Sequence, residues 1–243
     1  MTSTNGAPGR LCNHVFRNIA VSIIAEKNDL VVSYGYNDII SQLGIHLFSG
    51  SQNHENATTL TDHNYFDILN HSNLNANLNI DWYSYFQSKE ITNLTYNWVR
   101  SDKNKSQVIS KNSFKNRYET NNDCFIHIRL SDAASFNPGI KYYLKALSYI
   151  SFENLYIGTD SPDHSIISEL KTLYPECTIL NYDEIHTIHF GSTCKHVILS
   201  HGSFSAFIGY ISFFSNIYYP DYEICERWHG DMFSVPGFQM ISL

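Results

Sequence analysis

The chain has 243 residues, of which 43% are hydrophobic and 14% aromatic, and it carries a formal net charge of −7. This composition is typical of a folded protein with a substantial core, and it excludes an intrinsically disordered chain. Because no long block of Lys and Arg occurs, the acidic balance argues against nucleic acid or an anionic membrane as the main partner.

The cysteines and the N-terminus predict a reduced, cytoplasmic protein. The five cysteines are scattered and odd in number, which does not fit a disulfide framework. The first residues lack the basic start and the apolar stretch of a signal peptide. No apolar run approaches the roughly 20 residues that span a bilayer, so we expect no transmembrane segment.

The first half, residues 1–121, is predicted to be a loosely organised α/β domain. The predicted elements are a strand within the first few residues, a loop over 5–9, a helix over 11–27, a strand over 30–34 and a helix over 82–100. Residues 49–79 are rich in Asn, His, Ser and Thr, so we expect loops and small elements there. The polar stretch 101–122 is interpreted as a linker.

The second half, residues 122–243, alternates short apolar runs with helical patterns. The predicted strands are 125–128, 155–157, 178–180, 197–199 and 217–219, and the predicted helices are 141–150, 162–173, 183–190 and 204–214. This alternation is typical of βαβ units, whose crossover connections produce a parallel sheet. We therefore predict an α/β fold in which this half is a doubly wound, Rossmann-like nucleotide-binding domain. The loops that follow its strands should lie along one edge of the sheet.

The segment 124–132 favours an anion site. The apolar run from Phe125 to Ile128 ends on Arg129, at the position where open α/β sheets bind ligands. A guanidinium there suits phosphate, because its planar fork forms bidentate hydrogen bonds and keeps its charge. The alternative is an ion pair between Arg129 and Asp132 that serves structure alone.

A second segment, 197–205, is predicted to be a strand, a tight turn and the start of a helix. Gly202 permits the turn, and the hydroxyl groups of Ser203 and Ser205 would lie near a helix N-terminus, which favours phosphate. Ordinary N-capping by Ser203 is the alternative. Together with Arg129 on a neighbouring strand, the segment favours a diphosphate site.

Two further pairs of residues follow predicted strands or begin predicted helices. Thr159 and Asp160 follow a strand of the same sheet, where a carboxylate could accept two N–H bonds from a guanine edge; a helix cap is the alternative. Asn13 and His14 lie near the start of the first predicted helix, where Asn13 is either a ligand contact or a buried cap residue.

The sequence favours no metal site. The residues that invite a zinc interpretation match no common ligand spacing; they are Cys194, His196, His186, His189 and His201. No Asp-x-Asp pair near a strand end supplies Mg²⁺ ligands, and no Ser/His/Asp combination has the context of a nucleophile elbow. We therefore expect no metal and no cofactor.

Three segments resemble motifs of the GDP-fucose-dependent fucosyltransferases, most closely the α-1,2-fucosyltransferases of glycosyltransferase family eleven. Residues 9–16 (Gly-Arg-Leu-Cys-Asn-His-Val-Phe) resemble Gly-x-x-Gly-Asn-Gln-x-Phe, and residues 127–132 (His-Ile-Arg-Leu-Ser-Asp) resemble His-x-Arg-Arg-x-Asp. Residues 192–205 (Ser-Thr-Cys-Lys-His-Val-Ile-Leu-Ser-His-Gly-Ser-Phe-Ser) resemble Cys-Lys-His-x-Ile-x-x-x-Ser-Ser-Phe-Ser-Trp-Trp. Residues 159–160 resemble the donor-base motif of the related protein O-fucosyl and α-1,6 enzymes, and the stretch 35–122 is not covered.

The resemblance implies a GT-B-like fold of two Rossmann-type domains and an inverting, metal-independent transfer of L-fucose from GDP-fucose to a glycan hydroxyl. It implies that Arg129 neutralises the β-phosphate as the glycosidic bond breaks. The other donor-site residues that it implies are Ser203, Phe204 and Ser205 around the diphosphate, Asp160 at guanine, and Arg10, His127, Asp132, Thr159 and Gly202. Asn13 would hold the reacting region, and His14 is a candidate general base, because an unperturbed imidazole pKa suits proton abstraction near neutrality.

The chain also departs from the family pattern. Leu130 replaces the second arginine, Cys12 the second glycine, and His14 the glutamine, while Ala206-Phe207 replaces the tryptophan pair. The missing arginine leaves two alternatives open. One is a glycosyltransferase of the same fold that uses another nucleotide sugar, and the other is a non-catalytic nucleotide- or glycan-binding module.

Overall fold

The computed structural model describes residues 1–71, 73–221 and 230–243. Within these ranges the protein is α/β, with two sheets of parallel strands in two compact units. The first unit comprises residues 1–104 and 230–232, and the second comprises residues 105–221 and 233–243. No helix in the described ranges is long and apolar enough to cross a membrane.

The first unit is built on a four-stranded parallel sheet with the strand order β2-β1-β4-β3. In chain order the elements are β1 (Thr2–Ser3), α1 (Leu11–Asn28), β2 (Val32–Ser33), α2 (Asn37–Gln42), β3 (Ala57–Leu60), α3 (Tyr65–Asn70), β4 (Asn77–Ile80) and α4 (Lys89–Arg100). Neither Pro nor Gly interrupts α1, and its apolar side chains are buried on almost every face. The predicted first helix and first strand are therefore confirmed.

The helix predicted over 82–100 begins later, at Lys89. Ser88 is its N-cap, and the Ser88 hydroxyl oxygen accepts a hydrogen bond from the backbone nitrogen of Ile91 (3.5 Å). Phe86 has a φ of +55°, which does not continue a right-handed helix. Residues 81–87 therefore form a loop and not the first turns of the predicted helix.

The second unit contains a six-stranded parallel sheet with the order β10-β9-β8-β5-β6-β7. Its strands are β5 (Cys124–Ile128), β6 (Leu155–Thr159), β7 (Thr178–Ile179), β8 (His196–Ile198), β9 (Asn216–Pro220) and β10 (Phe238–Ile241). The helices are α5 (Asp102–Lys111), α6 (Ile140–Ser148), α7 (Ser165–Leu173), α8 (Glu184–Gly191) and α9 (Gly202–Ile211). Counted from β5, the order is 3-2-1-4-5-6, which is compatible with the Rossmann class.

The five strands and four helices predicted for this half are confirmed, with ends that shift by at most three residues. The sixth strand, β10, was not predicted. Its Gln239 and Met240 are exposed, so the segment shows no continuous apolar run. Among the described strands it pairs with β9 alone, at the edge of the sheet.

The stretch 101–122 is not the expected linker. It forms α5 and a short 3₁₀ helix (Lys115–Arg117), and its polar side chains bond to buried groups of the second unit. The Asn112 amide nitrogen donates to the His189 carbonyl oxygen (3.0 Å), and Arg117 pairs with Asp123 (2.6 Å). These bonds explain why the units divide after residue 104 rather than after the expected residue 121.

Candidate functional site

The strand order of the second sheet reverses between β5 and β8. These strands are direct neighbours, with Ile126 opposite Ile198, but β5 continues through α6 to β6 while β8 continues through α9 to β9. Ligands of open α/β sheets bind outside the carboxyl ends of the strands at such a reversal. The backbone nitrogen of Arg129 donates to the Ser200 hydroxyl oxygen (3.4 Å) across it. The segments 124–132 and 197–205 therefore meet at this reversal of strand order, the topological switch point of the sheet.

The helix that follows β8 presents its N-terminus here. Gly202 begins α9 with a φ of +86°, a left-handed conformation that strains any residue with a Cβ. The N-cap is His201, whose side chain makes no capping hydrogen bond, and the first turn contains no acidic residue. The start of α9 therefore presents the positive end of the helix dipole, and the His201 side chain does not cap it. Ser203 is not the N-cap; it lies inside the first turn and is half-buried.

Ser205 and His127 lie beneath the site and do not line it. The Ser205 side chain is fully buried, and its hydroxyl oxygen accepts a hydrogen bond from the backbone nitrogen of Ser200 (2.7 Å). The same oxygen lies 3.0 Å from Nδ1 of the buried His127. These bonds tie β5, the turn after β8 and α9 together. The expected contact of Ser205 and His127 with a diphosphate is therefore corrected to a supporting role.

Phe204, in the first turn of α9, packs against this buried layer. Its ring is half-buried and lies 5.0 Å from the His127 ring, measured between centroids, at an interplanar angle of 35°. The contact is an aromatic packing contact, which orients the imidazole. Phe204 is thus a packing residue at the start of α9.

Two histidines near the switch point are neutral at physiological pH. Burial lowers the pKa of His127 to about 3, with smaller effects from His201 and Arg129. Burial, with a smaller effect of the Arg129 charge, lowers the pKa of His201 to about 4. Neither imidazole therefore adds positive charge for a phosphate.

The Arg129 guanidinium is flanked by two carboxylates. Its Nη1 pairs with Asp160 and its Nη2 with Asp132. The Asp132 side chain is 62% exposed, against 25% for Asp160. The ion pair with Asp132, the alternative that the sequence left open, is therefore present. In this arrangement carboxylate oxygens bind Nη1 and Nη2, the two guanidinium nitrogens that a phosphate would use. Arg129, Asp132 and Asp160 together carry a formal charge of −1.

Asp160 also orients the loop that carries Arg129. Its Oδ1 accepts a hydrogen bond from the backbone nitrogen of Leu130 (2.9 Å). Thr159, the last residue of β6, accepts one from the backbone nitrogen of Ser161 (3.2 Å). Neither residue caps α7, because that helix begins at Ser165. Guanine recognition by Asp160 stays a prediction of the resemblance.

Asn137 and Ser200, which position the backbone of Arg129, were not predicted from the sequence. The Asn137 amide nitrogen donates to the Arg129 carbonyl oxygen and to the Tyr143 hydroxyl oxygen, both at 2.9 Å. The Tyr143 hydroxyl donates in turn to Ser200 (3.1 Å). In the sequence, Asn137 could have been identified from the turn that it forms with the following Pro and Gly. Ser200 could have been identified from its position directly after an apolar strand. This network fixes the backbone on both sides of the switch point.

No protein-family model matches the chain, and no curated protein matches it.

Arg10, Asn13 and His14 all belong to the first unit, at the start of α1. Arg10 is the exposed N-cap residue, and the Asn13 side-chain oxygen accepts a hydrogen bond from the Gln87 amide (3.0 Å). Gly9, with a φ of +108°, precedes them, and a Cβ there would lie 2.7 Å from the Asn13 amide nitrogen. Asn13 is therefore not the cap residue of the alternative interpretation.

The position of His14 does not favour a general base. His14 is buried, its Nε2 lies 3.2 Å from the Gly9 carbonyl oxygen, and its ring stacks on Tyr36 with 4.0 Å between centroids. Burial lowers its pKa, so the imidazole is neutral near pH 7. Its Nδ1 is enclosed and has no hydrogen-bond partner among the described residues. A substrate hydroxyl therefore has no open path to that nitrogen in this structure.

The zinc-like residues do not form a cluster. Among the described residues no three His, Cys, Asp or Glu side chains lie close enough to hold a metal ion. Cys194 is buried, and its sulfur accepts a hydrogen bond from Arg117 (3.7 Å). His189 is buried against Asn112 and Ser113.

Proposed function

We propose that the protein is an inverting, metal-independent glycosyltransferase that moves L-fucose from GDP-fucose to a hydroxyl group of a glycan. The observation that carries the proposal is the hydrogen bond from the backbone of Arg129, at the end of β5, to Ser200, which lies two residues before α9 at the end of β8. A guanidinium and a helix N-terminus on adjacent strand ends are two sources of positive charge for one diphosphate. The motif resemblance supplies the identity of the nucleotide and the sugar.

The proposed chemistry depends on where negative charge develops during the transfer reaction. When the glycosidic bond breaks, its electron pair moves to the oxygen of the β-phosphate, and the departing GDP gains negative charge. Arg129 and the N–H groups of Gly202 and Ser203 would interact more strongly with that charge than with the intact donor. Their positions are fixed by buried hydrogen bonds, so little reorganisation would accompany bond cleavage. Attack by the acceptor oxygen from the opposite face inverts the anomeric carbon.

Binding of the donor would exchange one anion for another. A phosphate oxygen takes the place of the Asp132 carboxylate at Nη2, because Asp132 is the more exposed of the two partners. Asp160 stays paired with Nη1 and the Leu130 amide, which keeps the guanidinium oriented. The exchange keeps Arg129 paired both with and without ligand.

The resemblance also implies a GT-B-like architecture, with a Rossmann-type domain for each substrate, and we include it in the proposal. A parallel sheet in each unit supports it. In the first unit, the loop between β1 and α1 contains Gly6 and Gly9, both at positive φ. We place the enzyme in glycan biosynthesis, with a glycan as acceptor and a cytoplasmic location as predicted from the cysteines.

One observation favours a second candidate function. Carboxylates pair with both Nη atoms of Arg129, and Leu130 replaces a second arginine, so the site has less positive charge for a leaving diphosphate and fits a non-catalytic nucleotide- or glycan-binding module. Such a module would bind GDP without turning over a donor. A glycosyltransferase that uses another nucleotide sugar would instead turn over a donor other than GDP-fucose.

Ligand binding followed by turnover separates these functions. GDP and GDP-fucose are expected to raise the melting temperature of the purified protein, with UDP as the matched control that does not. Release of GDP from GDP-fucose, alone and with a panel of oligosaccharides, then measures catalysis. Stabilisation by GDP without release of GDP from any of a set of GDP-sugars and UDP-sugars would identify the binding module. An equal response to UDP and GDP would contradict the donor assignment.

A further inference from the structure

Two large aromatic side chains of the first unit are exposed on one loop. Trp82 and Tyr83 follow β4, and they are 54% and 75% exposed. Within the part of the chain that the structure describes, neither ring packs against another aromatic ring. Contiguous exposed apolar area is a feature of ligand-binding and partner-binding surfaces.

A buried arginine holds this loop from the inside. Arg17 of α1 is buried, and its Nη2 donates to the Trp82 carbonyl oxygen (3.0 Å). Its guanidinium also lies 5.4 Å from the centroid of the Tyr85 ring. Burial of a charged group is costly unless the group is well paired, and burial lowers the pKa of Arg17. The backbone of Trp82 therefore has a specified position, although its side chain faces solvent.

Two carboxylates fix the rest of the loop. Oδ2 of Asp81 accepts hydrogen bonds from the Tyr83 backbone nitrogen and the Ser84 hydroxyl, both at 3.0 Å. Oδ2 of Asp62 accepts one from the Tyr85 backbone nitrogen (3.1 Å). Because the backbone is already ordered, the rings can bind a ligand with little loss of loop entropy.

A third exposed ring lies at the same edge of the sheet. Tyr36 follows β2, is 46% exposed, and stacks on His14. It has a φ of +60°, a strained conformation for a bulky residue that has to be stabilised by its surroundings. β1 lies between β2 and β4, so the strands that lead to Tyr36 and Trp82 are about 10 Å apart. The three rings thus follow strands at the carboxyl edge of a parallel sheet, where α/β sheets bind ligands.

We propose that Trp82, Tyr83 and Tyr36 form a binding site for a neutral oligosaccharide. The C–H face of a sugar ring packs on an aromatic face, while the indole N–H and the phenol hydroxyls can bond to sugar hydroxyls. Asp62 and Asp81 lie under the loop, and the chain carries a net charge of −7, which disfavours the phosphates of a nucleic acid. A protein partner would need a wider apolar patch than the three rings provide. Among the described residues, the other exposed large apolar side chain near this edge is Ile39 of α2.

The inference rests on the proposed function in one respect, which is that the oligosaccharide serves as the acceptor. Binding itself can be measured without any donor. Lactose, N-acetyllactosamine, cellobiose and chitobiose are suitable probes for saturation-transfer NMR and titration calorimetry with the full chain. We expect saturable binding of at least one of them in the absence of GDP.

Variants of the rings test the assignment. Trp82→Ala and Tyr83→Ala are expected to weaken binding of that saccharide by about tenfold or more, whereas Trp82→Phe and Tyr83→Phe retain most of it. Tyr149→Ala is the matched control, because Tyr149 is 61% exposed on the second unit and should leave binding unchanged. All of these side chains are exposed, so the melting temperatures should stay close to that of the parent protein.

The outcomes separate this inference from the proposed function. Saccharide binding that needs Trp82, in a protein that turns over no donor, supports the oligosaccharide site and overturns the glycosyltransferase. Turnover of GDP-fucose with an acceptor KM that Trp82→Ala and Tyr83→Ala leave unchanged overturns the site and keeps the enzyme. Failure of all four probes to bind at millimolar concentration, or a self-association that Trp82→Ala abolishes in place of saccharide binding, also overturns the site.

Discussion

The backbone nitrogen of Arg129 lies 3.4 Å from the hydroxyl oxygen of Ser200, and this hydrogen bond joins the carboxyl ends of β5 and β8. Because the order of the sheet reverses between these strands, the bond brings the loop that carries the guanidinium beside the first turn of α9. Both features are therefore expected to act on the same anion.

Replacement of Arg129 tests its role in leaving-group stabilisation. Arg129→Ala is expected to abolish transfer and to weaken GDP binding by about 10- to 100-fold, the range for a lost hydrogen bond to a charged group. Arg129→Lys should rescue little, because an ammonium cannot form the bidentate contact. Lys141→Ala removes an exposed cation of α6 and serves as the control, with unchanged GDP affinity. A fully active Arg129→Ala protein would remove Arg129 from the mechanism.

The exposed carboxylate of Asp132 is expected to compete with the donor. Asp132→Asn should strengthen GDP binding by up to about fivefold, because an exposed ion pair contributes up to ~1 kcal/mol. Asp160→Asn should weaken GDP binding, since Asp160 also holds the Leu130 amide. Titration calorimetry measures both, with Asp163→Asn as a control at an exposed position. Weaker GDP binding by Asp132→Asn would mean that Asp132 orients the guanidinium for the ligand.

The two serines of α9 are expected to respond differently to alanine. Ser205→Ala leaves the buried Ser200 amide without its partner and should lower the free energy of unfolding by about 1–3 kcal/mol. Ser203→Ala should weaken GDP binding, because it removes a hydroxyl group from the first turn of α9. Urea unfolding and calorimetry separate the two effects. Equal stability of the Ser205→Ala and parent proteins would contradict the supporting role of Ser205.

The strands of the second unit could be predicted because a buried parallel strand leaves a short apolar run between polar loops. Residue type alone could not separate Ser203 from Ser205. Both are hydroxyl groups in the first turn, and only the packing of α9 against β5 shows that Ser205 faces His127. The role of Arg117 could not be predicted from residue type either. The residues around it are polar, as in a linker, and only the structure shows that Asp123 and Thr193 are its hydrogen-bond partners.

Buried histidines give the fold a stability that depends on pH. The pKa of His127 is about 3 and that of His201 about 4, both below the value of 6.5 for an unperturbed histidine. Between pH 6.5 and about 4 the unfolded chain therefore binds protons that the folded protein does not. The free energy of unfolding should decrease as the pH falls, by up to about 1.4 kcal/mol per pH unit for each histidine.

Urea unfolding at pH 7.0 and pH 5.5 measures this dependence. His127→Gln is expected to reduce the loss of stability between the two pH values. His63→Gln, at an exposed position, should leave that loss unchanged. A free energy of unfolding that is the same at both pH values would contradict neutral, buried histidines.

Removal of divalent metal is expected to leave the transfer rate unchanged. The proposed chemistry stabilises the leaving diphosphate with Arg129 and the N-terminus of α9, so EDTA should have no effect on the initial rate. Strong inhibition by EDTA that Mn²⁺ reverses would show that a metal ion shares the diphosphate charge. That result would require a different description of the donor site.

A crystal structure of the protein with GDP bound would test directly whether Arg129 and the first turn of α9 bind the same diphosphate. A β-phosphate oxygen is expected within hydrogen-bonding distance of the Arg129 guanidinium and of a backbone N–H of Gly202 or Ser203, with Asp132 displaced from Nη2. GDP bound away from the ends of β5 and β8, with Arg129 still paired to both carboxylates, would contradict it.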